Sequence, residues 1–295
     1  MTLTRRDAGL LVLLTLMWGV NWPMMKFSLR EITPLWFRAL TMSGGALMLM
    51  LFYLARGSTM RLPRSEWARV AWLALPNIVG WHFFSILGLK ELASGRAAIL
   101  GFTMPVWTVL IGLLLAHDRM RPRVWISVAG AAAAVALLSA QELAQLAGRP
   151  LGIVWMQLAA VSWALGTLLV RRSSTALPVE ALTVWMMMVG AAFFWAVAPL
   201  AEPAPDFAAF SAPMWASLAY GVFLNYGWAQ VLWFGMARRL PPAASAFSIM
   251  AVPLVGTLGA TVIVGETPGT LDWLAAAAVV TAIASALLPR RAPGP

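Results

Sequence analysis

Residues 72–89 read WLALPNIVGWHFFSILGL, and residues 218–235 read LAYGVFLNYGWAQVLWFG. Both stretches are apolar and of helix length, and the Gly80-Trp81 pair of the first recurs as Gly227-Trp228, 147 positions later. A nearly constant offset in apolar sequence indicates duplication of one unit. Further pairs with a similar offset are Trp18 and Trp163, 145 positions apart, and Pro105 and Pro253, Asp118 and Glu266, and Trp125 and Trp273, each 148 apart.

The composition is typical of a protein that lies in a lipid bilayer. Of the 295 residues, 61% are hydrophobic and 11% are charged, whereas soluble domains carry about 25% charged residues. The formal charge of +10 comes from basic residues in short clusters between apolar runs, which is how membrane proteins fix their orientation. No basic stripe interleaved with aromatic residues occurs, so we expect the bilayer as a partner and no nucleic acid.

Ten apolar segments are long enough to cross the hydrocarbon core as helices, which takes roughly 17–25 residues. The chain is therefore predicted to be an all-α membrane protein. The polar stretch 141–150 connects a first five-helix repeat, residues 1–140, to a second, residues 151–295. Because five is odd, the repeats are inverted, and such repeats enclose a site near the midplane in many secondary transporters. The predicted spans are Ala8–Phe27, Pro34–Ala55, Glu66–Leu89, Ala97–Ala116, Arg123–Ser139, Leu151–Val170, Val179–Leu200, Pro213–Met236, Ala243–Val264 and Leu271–Leu288.

The positions of arginine and lysine predict the orientation of these spans. With a cytoplasmic N-terminus, fifteen basic residues lie in cytoplasmic segments and five lie on the opposite side. Both termini are therefore predicted to be cytoplasmic in a multi-pass protein of the bacterial inner membrane. Arg5-Arg6 before an apolar run resembles a signal peptide, but no early small-residue cleavage pattern follows, so we expect a retained first helix.

Charged residues inside membrane spans usually mark paths for ions or substrates, and here they are nearly absent. No Asp, Glu or Lys lies near the centre of a predicted span. Arg38 is four residues into the second span, close enough to a surface for its side chain to snorkel, and we expect it to be structural. Asp118 and Glu266 occupy matching loops, where we expect them to cap the next helix or to pair with arginine.

Several function classes lack the residues that they need. The chain has no Cys, and it contains no Gly-x-x-x-x-Gly-Lys-Ser/Thr, His-Glu-x-x-His or Gly-x-Ser-x-Gly motif. We therefore predict no catalytic residue, no metal site and no cofactor, and we do not expect an enzyme. A carrier of phosphorylated sugars would need buried cations, and a small proton-coupled drug antiporter usually needs an embedded Glu in its first span.

Aromatic and polar side chains align within the predicted spans and are candidates for a substrate cavity. Asn77 and Trp81 lie one turn apart on the third span, and Asn225 and Trp228 are expected to share a face of the eighth. Pro105 and Pro253 remove a backbone hydrogen bond and permit kinks, which serve gating or are static bends. The candidate substrate-binding residues are Trp18, Asn21, Asn77, Trp81, His82, Ser85, Thr103, Trp107, Trp163, Thr167, Asn225, Trp228, Ser245 and Ser248.

Structural roles compete with each of these interpretations. A lone Asn in lipid more often bonds a neighbouring helix than a substrate. His82 is either a proton relay or, more simply, a packing histidine. Tryptophan is common at membrane interfaces, and the residues expected to be interfacial anchors are Trp22, Trp36, Trp67, Trp125 and Trp273.

The stretch WGVNWP at residues 18–23, together with ten spans in two repeats, resembles the drug/metabolite transporter superfamily in its ten-helix EamA-type branch. The segments 102–105 and 250–253, each ending in proline and followed by an acidic residue, resemble that branch too. The resemblance covers essentially the whole chain. It implies a bundle of inverted repeats with a substrate cavity between the first, third, fourth, sixth, eighth and ninth helices. Within the superfamily, the aromatic content and the Trp81-His82 pair are most similar to exporters of aromatic amino acids.

These observations lead us to expect a secondary transporter that exports neutral, mainly aromatic amino acids by alternating access. Aromatic rings offer stacking faces worth roughly 0.5–1.5 kcal/mol per ring pair. The concentration gradient of the substrate is the expected driving force, because no buried carboxylate that could carry a coupled proton is predicted. The alternatives are a multidrug exporter of lipophilic compounds and an intramembrane enzyme that modifies lipids.

Overall fold

The computed structural model describes residues 4–116, 122–144, 150–237 and 242–287. These residues form helices joined by turns, with no strand among them, in agreement with the predicted all-α class. Of residues 234–237 and 242–250 only the helical backbone is described, without side chains. The helices are α1 (Arg5–Ser28), α2 (Pro34–Ala55), α3 (Arg64–Glu91), α4 (Ser94–Gly101), α5 (Met104–Ala116), α6 (Pro122–Ala144), α7 (Pro150–Arg172), α8 (Val179–Ala201), α9 (residues 212–237), α10 (Pro242–Ile263) and α11 (Thr270–Leu287).

Many of these helices have the length and composition of membrane spans. Within the described ranges, six segments are long and apolar enough to cross a bilayer. Three shorter apolar helices, Trp125–Leu138, Ala251–Ile263 and Thr270–Ser285, accompany them. The number of ten crossings and the inversion of the repeats stay predictions.

Local sequence determines where several helices begin and end. The Ser211 hydroxyl accepts a hydrogen bond from Met214 N at 3.2 Å and so caps the start of α9, because the first helical N–H groups have no partner within the helix. The α2 helix ends at Ala55, and two residues later Gly57 has a φ of +73°, a left-handed conformation that glycine adopts without steric cost and that prevents the helix from continuing. Its bounds are those predicted from the apolar run.

The predicted fourth span is not one continuous helix. α4 ends at Gly101 and α5 begins at Met104, with a turn at residues 102–103 between them. Pro105 was expected to kink the middle of a span, but it lies in the first turn of α5, where a missing N–H costs nothing. Pro253, its counterpart, lies inside the continuous helix α10.

The helix pairings are related by exchange of the two halves. α2 packs on α8, and α6 packs on α11. α1 packs on α10, while α7, at the same place in the second half, packs on α4 and α5. α3 packs on α7, and correspondingly α9 packs on α1. Duplication of one unit produces such a pattern, because each helix keeps its equivalent neighbour.

Two of the predicted interfacial anchors are wrong. Trp22 is 4% exposed and Trp36 is 8% exposed, so both indole rings belong to the core. Trp67 and Trp125, in contrast, are 58% and 60% exposed. Position near the end of a span does not distinguish the two cases, because the direction of each ring depends on the neighbouring helices.

Candidate functional site

Four aromatic rings from both halves meet inside the bundle, and we call them the ring group: Trp22, Trp81, Phe102 and Trp163. The centroid of the Trp22 ring lies 6.3 Å from Trp81 and 6.4 Å from Phe102, and Trp81 lies 5.2 Å from Trp163. All three contacts are edge-to-face, the geometry that the charge distribution of aromatic rings favours. The ring group thus joins α1, α3, the turn at residues 102–103, and α7.

Two glycines, Gly101 and Gly166, permit close contacts around the ring group. A Cβ atom on Gly101 would lie 3.0 Å from the Trp22 ring, and one on Gly166 would lie 2.6 Å from Cα of Asn77. Both distances are shorter than ordinary van der Waals contact. α7 can therefore pack directly against α3, which places Trp163 beside Trp81.

Gln157 on α7 ties the turn between α4 and α5 to the second half. Its Oε1 accepts hydrogen bonds from Trp107 Nε1 at 3.0 Å and from Thr103 Oγ1 at 3.3 Å, and its Nε2 donates to the Leu100 carbonyl at 3.4 Å. Two predicted site residues, Thr103 and Trp107, are thus held in one network by a residue that was not predicted.

A second group, which we call the Arg38 group, consists of Arg38, His82, Ser85 and Tyr226. Arg38 donates from Nη1 to the Tyr226 hydroxyl at 2.9 Å and from Nη2 to the Ser85 hydroxyl at 3.1 Å. The Tyr226 oxygen lies 3.1 Å from His82 Nδ1. The group joins α2, α3 and α9, and each of its side chains is at most 9% exposed.

The expectation that Arg38 snorkels to a surface is wrong. The residue is 2% exposed, and its guanidinium extends between α3 and α9. Snorkelling would solvate the charge, but it would leave the hydroxyls of Ser85 and Tyr226 without this donor inside the bundle. Buried polar groups are costly when they lack hydrogen bonds.

Backbone distortions accompany both groups. Residues Leu75–Gly80 of α3 and Tyr220–Trp228 of α9 are π-helical, and such segments occur frequently at functional sites. They carry the predicted residues Asn77, which is half-buried, and Asn225, which is 9% exposed. The two segments occupy equivalent positions in the two halves.

The remaining predicted site residues lie elsewhere or are less enclosed. Trp18 packs on Trp233 of α9 with ring centroids 5.4 Å apart. Asn21 is buried and Thr167 is half-buried. The predicted shared face of Asn225 and Trp228 is wrong: Trp228 is 44% exposed and contacts Phe52, since the wider π turn changes which residues align. Ser245 and Ser248 lie outside the residues whose side chains are described.

An apolar cavity of about 370 Å³ lies between α5, α6 and α7. Gln157 and Trp107 contribute the polar atoms of its lining. The other lining residues are aliphatic: Val106, Leu110, Val128, Ala131, Ala132, Val135 and Ala136. Ligand pockets typically enclose about 300–1,000 Å³ and are mostly apolar, so this cavity has the size and chemistry for a small lipophilic molecule.

Carboxylates connect the halves at one end of the bundle, the distal end, which holds residues 29–33, 92–93, 202–211 and 264–269. Glu202 accepts from Leu35 N at 2.9 Å, and Glu266 accepts from Ser94 N at 2.7 Å. Each carboxylate thus caps the first turn of a helix from the other half, where free N–H groups attract negative charge. Glu266 was expected to cap the next helix, α11, or to pair with arginine, but it caps α4; its counterpart Asp118 lies outside the described residues.

Two further contacts cross the distal end. Arg96 Nε and Asp272 Oδ1 form an ion pair at 2.7 Å with both side chains largely buried. Glu31 accepts from Ser211 N at 2.8 Å and from the Ser211 hydroxyl at 2.6 Å, and these hydrogen bonds lower the pKa of Glu31. The opposite, proximal end holds residue 4 and residues 56–63 and 173–178, and there Glu66 accepts from Thr175 at 2.9 Å.

Sequence reasoning missed Trp22, Phe102, Gln157, Arg38 and Tyr226 as members of these groups. Arg38 and Gln157 did carry a signal, because each is polar in an apolar run. For the two rings and Tyr226 no pattern separated them from packing residues. No cluster of three or more His, Asp or Glu side chains suitable for a metal occurs in the described ranges.

The chain is similar to known transporters along most of its length. The model of the EamA-like transporter family matches residues 8–140 and, again, residues 150–288. The "uncharacterized transporter YvbV" of Bacillus subtilis is 28% identical over 286 residues, covering 92% of this chain and 87% of the relative. The "uncharacterized inner membrane transporter YedA" of Escherichia coli K12 is 23% identical over 279 residues, covering 93% and 88%.

A solved crystal structure shows the same fold. It superposes with a TM-score of 0.67 at 23% sequence identity, and the match covers 96% of this chain and 97% of the other. At that identity the likeness concerns the arrangement of the helices and carries no information on the substrate.

Proposed function

The chain belongs to the EamA-like transporter family, and on that premise we propose that it exports neutral, mainly aromatic amino acids by alternating access. As a multi-pass transporter of the inner membrane it moves a small molecule across lipid. The ring group carries the proposal. Four rings from both repeats, on α1, α3, α7 and the turn before α5, offer edges and faces to an aromatic substrate.

The two halves supply the moving parts of this mechanism. We propose that residues 1–140 and 151–295 are inverted five-helix repeats and that rocking of one against the other exposes the ring group to each side in turn. The break at residues 102–103, just before Pro105, and Pro253 inside the continuous helix α10 permit the bending that this rocking needs. The distal contacts Arg96–Asp272 and Ser94–Glu266 would open in one state and close in the other.

Counterflow in proteoliposomes tests the proposal. Vesicles preloaded with unlabelled tryptophan should accumulate labelled tryptophan or phenylalanine through the wild type, without an imposed proton gradient. Trp163→Ala should reduce the initial rate about tenfold, because one partner of the ring group is lost. Trp125→Ala is the matched control, since Trp125 is 60% exposed. Equal initial rates in the two variants would show that the ring group is not part of the transport site.

The driving force and the orientation need separate measurements. If transport occurs only under an imposed proton gradient, the protein is proton-coupled and facilitated transport along the substrate gradient is refuted.

Because the chain has no Cys, single cysteines can be introduced without background labelling to test the orientation. Thr59→Cys at the proximal end should react only from the cytoplasm, and Ala209→Cys at the distal end only from outside.

The apolar cavity between α5, α6 and α7 favours a second candidate, a multidrug exporter of lipophilic compounds. Such compounds would reach the cavity of about 370 Å³ and contact Gln157 and Trp107. A panel of lipophilic cations and neutral aromatic compounds in the same vesicles separates the two functions. Efflux of the lipophilic panel without amino-acid counterflow would favour the second. The third alternative is an intramembrane enzyme that modifies lipids, and the names of the relatives, which are transporters, do not favour it. Mass spectrometry of lipids incubated with the protein should therefore detect no modification.

A further inference from the structure

Arg38 is a cation buried in the bundle with only neutral partners. Its guanidinium is 2% exposed and donates to the hydroxyls of Tyr226 and Ser85. Its Nε has no hydrogen-bond partner. In the described part of the chain no carboxylate lies within ion-pair distance of this guanidinium. The charge is therefore hydrogen-bonded in part but not neutralised.

Such an arrangement is unusual because a charge inside the bilayer region is costly and normally pairs with an opposite charge. Hydroxyl groups satisfy N–H donors, but they supply no negative charge. A carboxylate would do both, since a guanidinium offers two parallel N–H groups that match the two carboxylate oxygens. The free Nε–H of Arg38 with one neighbouring Nη provides such a pair.

The position of Arg38 relates this charge to the ring group. Ser85, which bonds Arg38, lies four residues after Trp81 on α3 and therefore on the same helix face. One helical turn, about 5.4 Å along the axis, separates the two positions. In an aromatic amino acid, two tetrahedral carbons separate the carboxylate from the ring. One molecule can thus place its ring against Trp81 and its carboxylate toward Arg38.

We propose that Arg38 binds the carboxylate of the transported substrate, and that the substrate class is aromatic carboxylates, with the amino group dispensable. This inference rests on the proposed function and specifies that the site selects the negative charge of a carboxylate. The incoming carboxylate replaces one hydroxyl on the guanidinium and also accepts from Nε. Tyr226 and Ser85 position the side chain, and Tyr226 connects it to His82.

A panel of competitors on the wild-type protein tests the proposal without any substitution. Indole-3-propionate has the ring and the carboxylate but no amine, whereas tryptamine has the ring and the amine but no carboxylate. Indole-3-propionate should inhibit tryptophan counterflow at a concentration at least about tenfold lower than tryptamine, as expected for a charge-assisted contact. Equal potency, or greater potency of tryptamine, would overturn the carboxylate site.

A substitution tests the residue itself. The wild type should prefer tryptophan to tryptophan amide at least about tenfold in initial rate, and Arg38→Met should bring that ratio close to one. Arg56→Met is the matched control, because Arg56 follows the same helix and is exposed, and it should keep the wild-type ratio. If Arg38→Met lowers both rates but preserves their ratio, Arg38 is structural and the proposal fails.

Binding in detergent separates this inference from the proposed function. If the wild type moves neither tryptophan nor phenylalanine, amino-acid export is refuted. Thermal stabilisation of the purified wild type by indole-3-propionate, and not by tryptamine, would still support the carboxylate site. Absence of such selective stabilisation would overturn it. Where Arg38→Met does not fold, Arg38→Lys retains the cation and should keep the preference for the carboxylate, at reduced affinity.

Discussion

α3 and α9 carry the same Gly-Trp pair and the same backbone distortion, yet they place their tryptophans in different environments: Trp81 is half-buried and Trp228 is exposed. Trp81 contacts Trp22 and Trp163 inside the bundle. Trp228 is 44% exposed and contacts Phe52. Both helices contain a π-helical segment at the equivalent place, Leu75–Gly80 in α3 and Tyr220–Trp228 in α9.

A difference of one residue in spacing accounts for this contrast. The asparagines Asn77 and Asn225 are 148 positions apart, whereas the tryptophans Trp81 and Trp228 are 147 apart. One residue corresponds to about 100° around a helix of 3.6 residues per turn. The residue that follows Trp81 by 148 is Ala229, which is fully buried. Duplication therefore preserved the backbone and the helix contacts, while the side chains at the centre diverged.

The largest effect is expected where the π segment of α3 packs on α7. In Gly166→Ala, the new Cβ would lie 2.6 Å from Cα of Asn77, a backbone atom that no rotamer change can move. Such overpacking costs about 1–3 kcal/mol, which corresponds to a fall in Tm of roughly 2–12 °C in detergent. Gly112→Ala is the control, because its Cβ would meet only Leu168 at 3.8 Å. An unchanged Tm for Gly166→Ala would show that this contact is not tight.

The next effect compares the two tryptophans directly. Trp81→Leu should lower the rate of tryptophan counterflow about tenfold, because the ring group loses its central member. Trp228→Leu should leave the rate within about twofold of the wild type, since that ring lies outside the group. If the two variants lose transport equally, the one-residue shift has no functional meaning.

A smaller effect is expected where α3 and α9 meet through Arg38. Tyr226→Phe removes the hydroxyl that accepts from Nη1 and lies near His82, which should cost about 1–2 kcal/mol of stability. Thermal unfolding in detergent measures the loss. Thr281→Val serves as the comparison, because the Thr281 hydroxyl bonds only the Ala277 carbonyl of its own helix and is exposed. Equal Tm values for both variants would contradict a structural role for the Tyr226 hydroxyl.

The smallest effect concerns the start of α9 at the distal end. Ser211 lowers the pKa of Glu31 from its ordinary value of 4.5, so the folded state favours the carboxylate. The stabilisation is fully present above that value and is lost as the pH falls through the lowered pKa. The difference in Tm between the wild type and Glu31→Gln should therefore vanish in acid. A difference that does not vary with pH would argue against the contact.

Helix positions followed from the sequence more closely than the site did. Pro34–Ala55 was predicted at its observed bounds, because an apolar run and Gly57 mark its length and its end. The break at residues 102–103 and the two π segments were not foreseen, since hydropathy does not report the hydrogen-bond pattern of a helix. Thr103 and Trp107 were candidates, but Gln157, which joins them, was not.

The burial of Arg38 could not be predicted from the sequence alone. The sequence marks it as a charge in an apolar run, and both a surface and a buried position fit that fact. The choice depends on Ser85 and Tyr226, which approach it from α3 and α9. Tyr226 is distant in the chain, and its position opposite Arg38 depends on the rotation of α9.

The sequence by itself determined that the chain is apolar, helical and duplicated, because hydropathy, run length and offset are local properties of the amino acids. Only the tertiary structure decided that Trp81 is half-buried against two other rings and Trp228 exposed, that Trp22 and Phe102 complete a ring group, and that Arg38 is buried between neutral hydroxyls. These outcomes depend on how each helix is rotated against its neighbours. That rotation is the result of packing across the whole bundle and is specified by no single segment.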